Sequence, residues 1–155
     1  MRLHLIAVGR GRRAPEAGLV EDYRARTEVL ARGLGFSGPV LSEIDERKAT
    51  TAEAQSTRLI ETAGRAHILA LDERGAALTS PAFAALLARL RDAGTPETAL
   101  LLGGADGHTE ALRTKAHRLI GFGPMVWPHM LARVMLAEQL YRALSILAAT
   151  PYHRG

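Results

Sequence analysis

Residues 98–102, Thr-Ala-Leu-Leu-Leu, form a near-continuous apolar run that ends abruptly in Gly103-Gly104-Ala105-Asp106-Gly107. A strand with almost no polar alternation needs cover on both faces, a condition met in a parallel sheet with helices packed on either side. Two further runs fit the same demand. Leu3-His4-Leu5-Ile6-Ala7-Val8 stops at Gly9, and His67-Ile68-Leu69-Ala70-Leu71 stops at Asp72. Weaker strand patterns fall at residues 40–44 and 117–120. Between the strands the spacing turns helical. Helices are predicted from Pro15 to about Ala31, over residues 50–63, from Ser80-Pro81 to a stop at Gly94, over residues 109–116, and from His129 to Ala148. Thr50 with Glu53 has capping-box spacing at the start of the second. Strand and helix alternate throughout, so the expectation is an α/β fold, a mostly parallel sheet with helices on both faces. The chain has 155 residues, one domain over residues 1–155 by length.

Several function classes drop out early. No apolar run approaches the roughly 18 residues of a membrane span. The first apolar stretch is short and is followed at once by Arg10, Arg12 and Arg13, which suits a buried strand better than a signal peptide. With no cysteine there is no disulfide and no thiolate metal site, and neither a metal nor a membrane partner is expected. A cytoplasmic protein is the simplest expectation. Patterns for a P-loop, for a dinucleotide GxGxxG after a strand, for HExxH and for GxSxG are all missing. The net charge is +4, and all but Lys48 and Lys115 of the 20 basic residues are arginine, the side chain suited to bidentate phosphate contacts. A nucleic-acid partner fits that charge, and so does a plain compositional preference for arginine.

Ligands of open parallel sheets bind beyond the carboxyl ends of the strands. Three ends are marked here: Leu71-Asp72, Gly103 to Gly107, and the loop from Gly121 to Pro128. Glycines let backbone groups approach a ligand closely. An apolar cleft with backbone donors suits an adenine ring and a thioether better than a triphosphate; an ordinary glycine-rich turn is the competing reading of Gly103–Gly107. The loop Gly9-Arg10-Gly11-Arg12-Arg13 is either a phosphate contact or a solvated turn. The last helix carries two apolar stripes, Met130, Val134, Ala137, Tyr141, Leu144 and Leu136, Leu140, Ala143, Leu147. A helix buried on two sides points to a partner subunit, hence to a homodimer. Glu138 and Arg142 have the favourable i,i+4 order. His129, Tyr152, His153 and Arg154 are the candidate reactive groups, with a histidine as candidate general base; an incidental C-terminal tail is the alternative.

Taken together, the N-terminal strand, Leu71-Asp72, Gly103-Gly104-Ala105-Asp106-Gly107, Trp127-Pro128-His129-Met130-Leu131-Ala132-Arg133-Val134, Glu138-Gln139-Leu140-Tyr141-Arg142-Ala143 and Tyr152-His153-Arg154 resemble the ribosomal RNA large subunit methyltransferase H family, pseudouridine-N3 methyltransferases of the SPOUT class. The resemblance spans the chain, densest after about Leu100. It implies a deep C-terminal trefoil knot, S-adenosyl-L-methionine bound within it, an obligate homodimer, and methylation of N3 of a pseudouridine in 23S rRNA on assembled ribosomes. It implies cofactor contacts at Leu71, Gly103, Gly104 and Gly123-Pro124-Met125-Val126-Trp127-Pro128. The substrate-side residues it implies are His129, Arg133, Tyr152, His153 and Arg154. Trp127, Met130 and the arginine-rich first loop depart from the family pattern and leave the shape of the adenine pocket open. General topology rules advise against a knot. The competing functions are a non-catalytic ribosome-binding protein and a different nucleotide-using enzyme acting on a small molecule.

Overall fold

The computed structural model describes residues 1–11 and 14–153. Its strands are β1 (Arg2–Val8), β2 (Ser37–Ile44), β3 (His67–Ala77), β4 (Glu97–Leu102) and β5 (Arg118–Gly121). Its helices are α1 (Ala17–Ala31), α2 (Ala52–Ala63), α3 (Ser80–Asp92), α4 (Glu110–Lys115) and α5 (His129–Leu147). The strands form one sheet in the order β2-β1-β4-β3-β5, and every neighbouring pair is parallel. Side-chain alternation sorts the strands onto two cores. Leu3, Leu5, Leu69, Leu100 and Leu102 face one way, packing with Phe83 and Leu87 of α3 and Leu136, Leu140 and Leu144 of α5. Ile6, Val8, Ile68, Ala70, Ala99 and Leu101 face the other, onto Leu59 and Ala63 of α2 and Leu112 of α4. Two-sided cover of a central apolar strand is what residues 98–102 demand.

Three local differences from the sequence reading have physical causes. First, β3 does not end at Asp72. Its first half pairs with β4 on one side and β5 on the other, and after a register break between Leu71 and Ala76 the strand pairs with β5 again at Ile120 and Gly121. Backbone pairing, not apolar burial, holds Ala76 and Ala77, so the sequence carries little trace of this extension. A Cβ on Gly75 would overlap the Ile120 backbone, which is why glycine stands there. Second, β2 begins at Ser37, before the Gly38-Pro39 pair that reads as a break. A register irregularity near Arg2 lets this edge strand absorb the proline. Third, Thr51, not Thr50, caps α2: its hydroxyl accepts from the Ala54 N–H at 3.1 Å, leaving no capping box.

Helix α5 lies against both α1 and α3 of its own chain. Leu136, Leu140, Ala143 and Leu144 are buried, while Tyr141 sits 6.1 Å from Tyr23 of α1, ring to ring. The two apolar stripes are thus largely accounted for inside one protomer, and by themselves do not require a partner. Among the described residues no helix is long and apolar enough to cross a membrane, and no cluster of three metal-ligating side chains occurs.

Candidate active site

The carboxyl ends of β3, β4 and β5 open onto a cavity of about 250 Å³. Leu71, Gly103, Gly104, Gly123, Met125, Val126 and Trp127 all line it, and His129 stands at its edge. Pro124 and Pro128 belong to the same loop without lining the cavity; Pro128 is the N-terminal boundary residue of α5, and its carbonyl accepts from Ala132 N–H at 2.9 Å. A second, more apolar cleft of about 500 Å³ lies between α3 and α5 and shares Leu71 and Phe122 with the first. The glycine turn of residues 103–107 is closed by Gly107 N–H donating to the Gly104 carbonyl at 3.1 Å. Gly107 takes a positive φ of 71°, a conformation glycine adopts without strain. Backbone groups and apolar side chains dominate the walls. That donor set fits an adenine ring and a sulfur-linked chain, and offers no lysine or P-loop for a triphosphate.

Three polar residues of this wall escaped the sequence reading in their roles. Asp72 is buried; it accepts from the Arg74 N–H at 2.9 Å and from Arg113 Nε at 2.8 Å. Burial works to raise its pKa, but these two donors outweigh it and hold the carboxyl below its ordinary value. His108 is also buried, and burial pushes its pKa down against the pull of Asp72. The Leu71 and Leu101 carbonyls lie beside its ring, yet neither ring nitrogen reaches hydrogen-bonding geometry with any described residue. The one signal available was the succession Gly-His after the strand end, which says nothing about burial.

His129 is the first residue of a 19-residue helix, where the positive end of the helix dipole faces the cavity edge. A Cβ on Gly9 would lie 3.6 Å from its Nε2, so the loop after β1 runs alongside it. Arg133 lies one turn on. Expected on the substrate side, it is 2% exposed. Its guanidinium donates to Glu43 Oε1 at 2.7 Å and to the Val8 and Gly9 carbonyls at 2.9 and 2.8 Å. Glu43 also accepts from the Gly11 N–H at 2.7 Å. Arg133 therefore ties α5 to the end of β1 and, through Glu43, to the loop at Gly11.

The tail lies elsewhere. Tyr152 donates to Glu138 Oε1 at 3.1 Å and packs on Tyr141 at 4.6 Å, while Arg142 sits 4.8 Å over its ring. Burial, then hydrogen bonds with Tyr23 and Glu138, push the Tyr152 pKa up. His153 Nδ1 is 3.5 Å from Arg142 Nη1. The expected Glu138–Arg142 pair is present at 2.6 Å. Arg142 follows His129 by 13 positions on α5, about 20 Å of helix at 1.5 Å per residue. One protomer thus does not bring His129 together with its own Tyr152 and His153. Arg154 lies outside the described residues, as do Arg12 and Arg13.

Comparison with known proteins agrees with this architecture. A family model described as "Predicted SPOUT methyltransferase" matches residues 1–153. A probable methyltransferase from Bordetella pertussis shares the fold at a TM-score of 0.53 and 18% identity, covering 92% of this chain and 94% of its own. The chain belongs to the SPOUT methyltransferase family. Its full-length relatives place it within the ribosomal RNA large subunit methyltransferase H family. Proteins of that name from Cereibacter sphaeroides and Dinoroseobacter shibae are 54% and 52% identical over 99% of both chains, and one from Hyphomonas neptunium is 48% identical over the whole of both.

Proposed function

We propose that this chain, as a homodimer of single-domain subunits in the cytoplasm, methylates N3 of a pseudouridine in 23S rRNA on assembled ribosomes. The observation that carries the site assignment is the convergence of Leu71, Gly103, Gly104 and the Gly123–Trp127 loop on one cavity with His129 at its edge. S-adenosyl-L-methionine, the methyl donor of the family, supplies an electrophilic methyl group on a sulfonium when bound. The glycine turn and the loop of residues 123–128 would hold it. Threading of that loop and α5 through the preceding chain, the trefoil knot, would keep these backbone groups fixed.

For its part, the protein must hold the acceptor nitrogen about 3–3.5 Å from the methyl carbon and accommodate its departing proton. His129, at the helix N-terminus, is placed to accept that proton or to stabilise the anion that forms. His153 is the other candidate base, with Tyr152 beside it and Arg154 steering phosphate. The 20 Å of helix between Arg142, which holds His153, and His129 supports a composite site in which one subunit's tail closes over its partner's cavity. Arg133 acts through Val8 and Gly9, fixing the loop beside His129.

The test is transfer of a labelled methyl group to ribosomes lacking the modification, followed by mapping of the labelled nucleoside. Label on N3 of one pseudouridine of 23S rRNA is expected. Label on another base, or efficient methylation of free nucleosides, would overturn the assignment.

A further inference from the structure

Carboxylates neutralise most of the arginines. Among the described residues, Arg65, Arg89, Arg118, Lys48 and Lys115 are the basic side chains without an ion pair. Arg65, Lys115 and Arg118 meet at the amino ends of β3 and β5, the end of the sheet away from the cavity. Arg65 stands two positions before His67, the first residue of β3, and Lys115 closes α4 two positions before His117. Arg118 opens β5 and pairs with Leu69 of β3. His117 N–H donates to the Ile68 carbonyl and Ile68 N–H donates to His117 Nδ1, each at 3.0 Å. The His67 and His117 rings lie 4.2 Å apart. With Nδ1 accepting, a neutral His117 ring carries its proton on Nε2, a further donor on an exposed residue. Arg65 and Lys115 are exposed and Arg118 is half-buried. Two acids come close along the chain or across the sheet, and both are engaged: Glu61 by Arg58 at 3.3 Å and Glu97 by His4 at 2.8 Å. The patch thus presents three unneutralised cations beside two imidazoles.

We infer that this amino-end patch is a second RNA-contact surface, gripping phosphates of the substrate RNA away from the reacting base. The inference rests on the ribosomal RNA reading above. Guanidinium, ammonium and imidazole N–H groups are donors suited to phosphate oxygens, arginine in a bidentate fork. Elsewhere on the surface a phosphate must displace a carboxylate to reach an arginine; here no pair has to be broken. His67 and Leu71 are four residues apart, about 13 Å of strand, so patch and cavity meet different nucleotides. Contacts of this kind set position and leave base recognition to the cavity.

The experiment measures equilibrium binding to ribosomes lacking the modification, and KM for them, across a salt series. Arg65→Gln with Arg118→Gln is compared with Arg32→Gln and Arg47→Gln, two exposed arginines that do have carboxylate partners. A slope of about 0.7–0.9 per phosphate contact makes each worth about 5- to 8-fold at ~0.1 M salt. The patch pair should therefore weaken binding and raise KM by about 25- to 60-fold and lower the salt slope by about 1.4–1.8. Its kcat and its S-adenosylhomocysteine affinity should stay within about threefold, and Arg65→Lys with Arg118→Lys should retain most of the affinity. Unchanged binding in the patch pair overturns the inference. An equal loss in the Arg32 and Arg47 pair overturns it too, because net charge and not location would then be acting. A wild type that binds ribosomes but transfers no methyl group to them would instead defeat the functional reading and leave the patch standing. Thermal unfolding within about 3 °C of wild type checks that these surface variants fold.

Discussion

Replacing Arg133 by methionine probes the junction on which the site depends. The guanidinium is buried and serves three acceptors: Glu43 Oε1, the Val8 carbonyl and the Gly9 carbonyl. Methionine matches much of the stem but strands a carboxylate and two strand-end carbonyls. Breaking a buried ion pair from one side costs about 3–5 kcal/mol. Glu43 is 18% exposed at its side chain, so water can relieve part of the penalty and the lower half of that range is expected. For a chain of this size each kcal/mol moves Tm by about 2–4 °C, so a fall of about 6–16 °C should appear by calorimetry. Adding Glu43→Gln should return part of the loss, because the stranded charge is then gone. Substrate affinity should fall as well, through disorder of the loop at Gly9 to Gly11, while cofactor affinity changes little. A variant with wild-type Tm and abolished turnover would refute the reasoning and return Arg133 to direct contact with substrate.

Other parts of the account predict separate outcomes. His129→Ala should lower the single-turnover methyl-transfer rate by about 10²- to 10⁴-fold if the imidazole handles the proton, with unfolding little changed. Burial and the neighbouring His117, at 4.2 Å ring to ring, depress the His67 pKa in the folded state. The unfolded chain then binds a proton that the native state refuses, so stability is fully present above the ordinary value of 6.5 and declines as pH falls below it. Urea midpoints between pH 7 and 5 should show that slope, to which buried His108 also contributes, and His67→Phe should reduce it without abolishing it. Gly75→Ala should destabilise by about 1–3 kcal/mol in urea titration, since its methyl group would overlap the Ile120 backbone and spread β3 from β5.

How far the sequence could be read depended on which force held each element. Thr98–Leu102 and Leu3–Val8 announce themselves because side-chain burial on both faces leaves its mark in composition. Ala76 and Ala77 extend β3 by backbone pairing with β5, which leaves no apolar pattern in the sequence, so the strand's end at Ala77 was hidden. The cavity's glycines and its loop were legible as marked strand ends. The burial of Arg133 was not, because an arginine on a helix reads as a surface group until its three acceptors are placed around it. The stripes of α5 were legible, one expected against its own sheet and one against a partner; α1 and α3 cover most of them within one protomer, so the stripes alone do not require a partner. His108 and Asp72 sit within recognisable motifs, yet only the fold brings the two together with Arg113.

The composite site is tested most directly by subunit complementation. His129→Ala supplies an intact tail over a defective cavity, and a chain ending at Pro151 supplies an intact cavity without a tail. Each should be nearly inactive alone. Dissociated, mixed in equal amounts and reassociated, they should regain about a quarter of wild-type methyl transfer, because half the dimers are mixed and each of those rebuilds one of its two sites. A mixture no more active than its parents, while mixed dimers demonstrably form, would contradict a site shared between subunits.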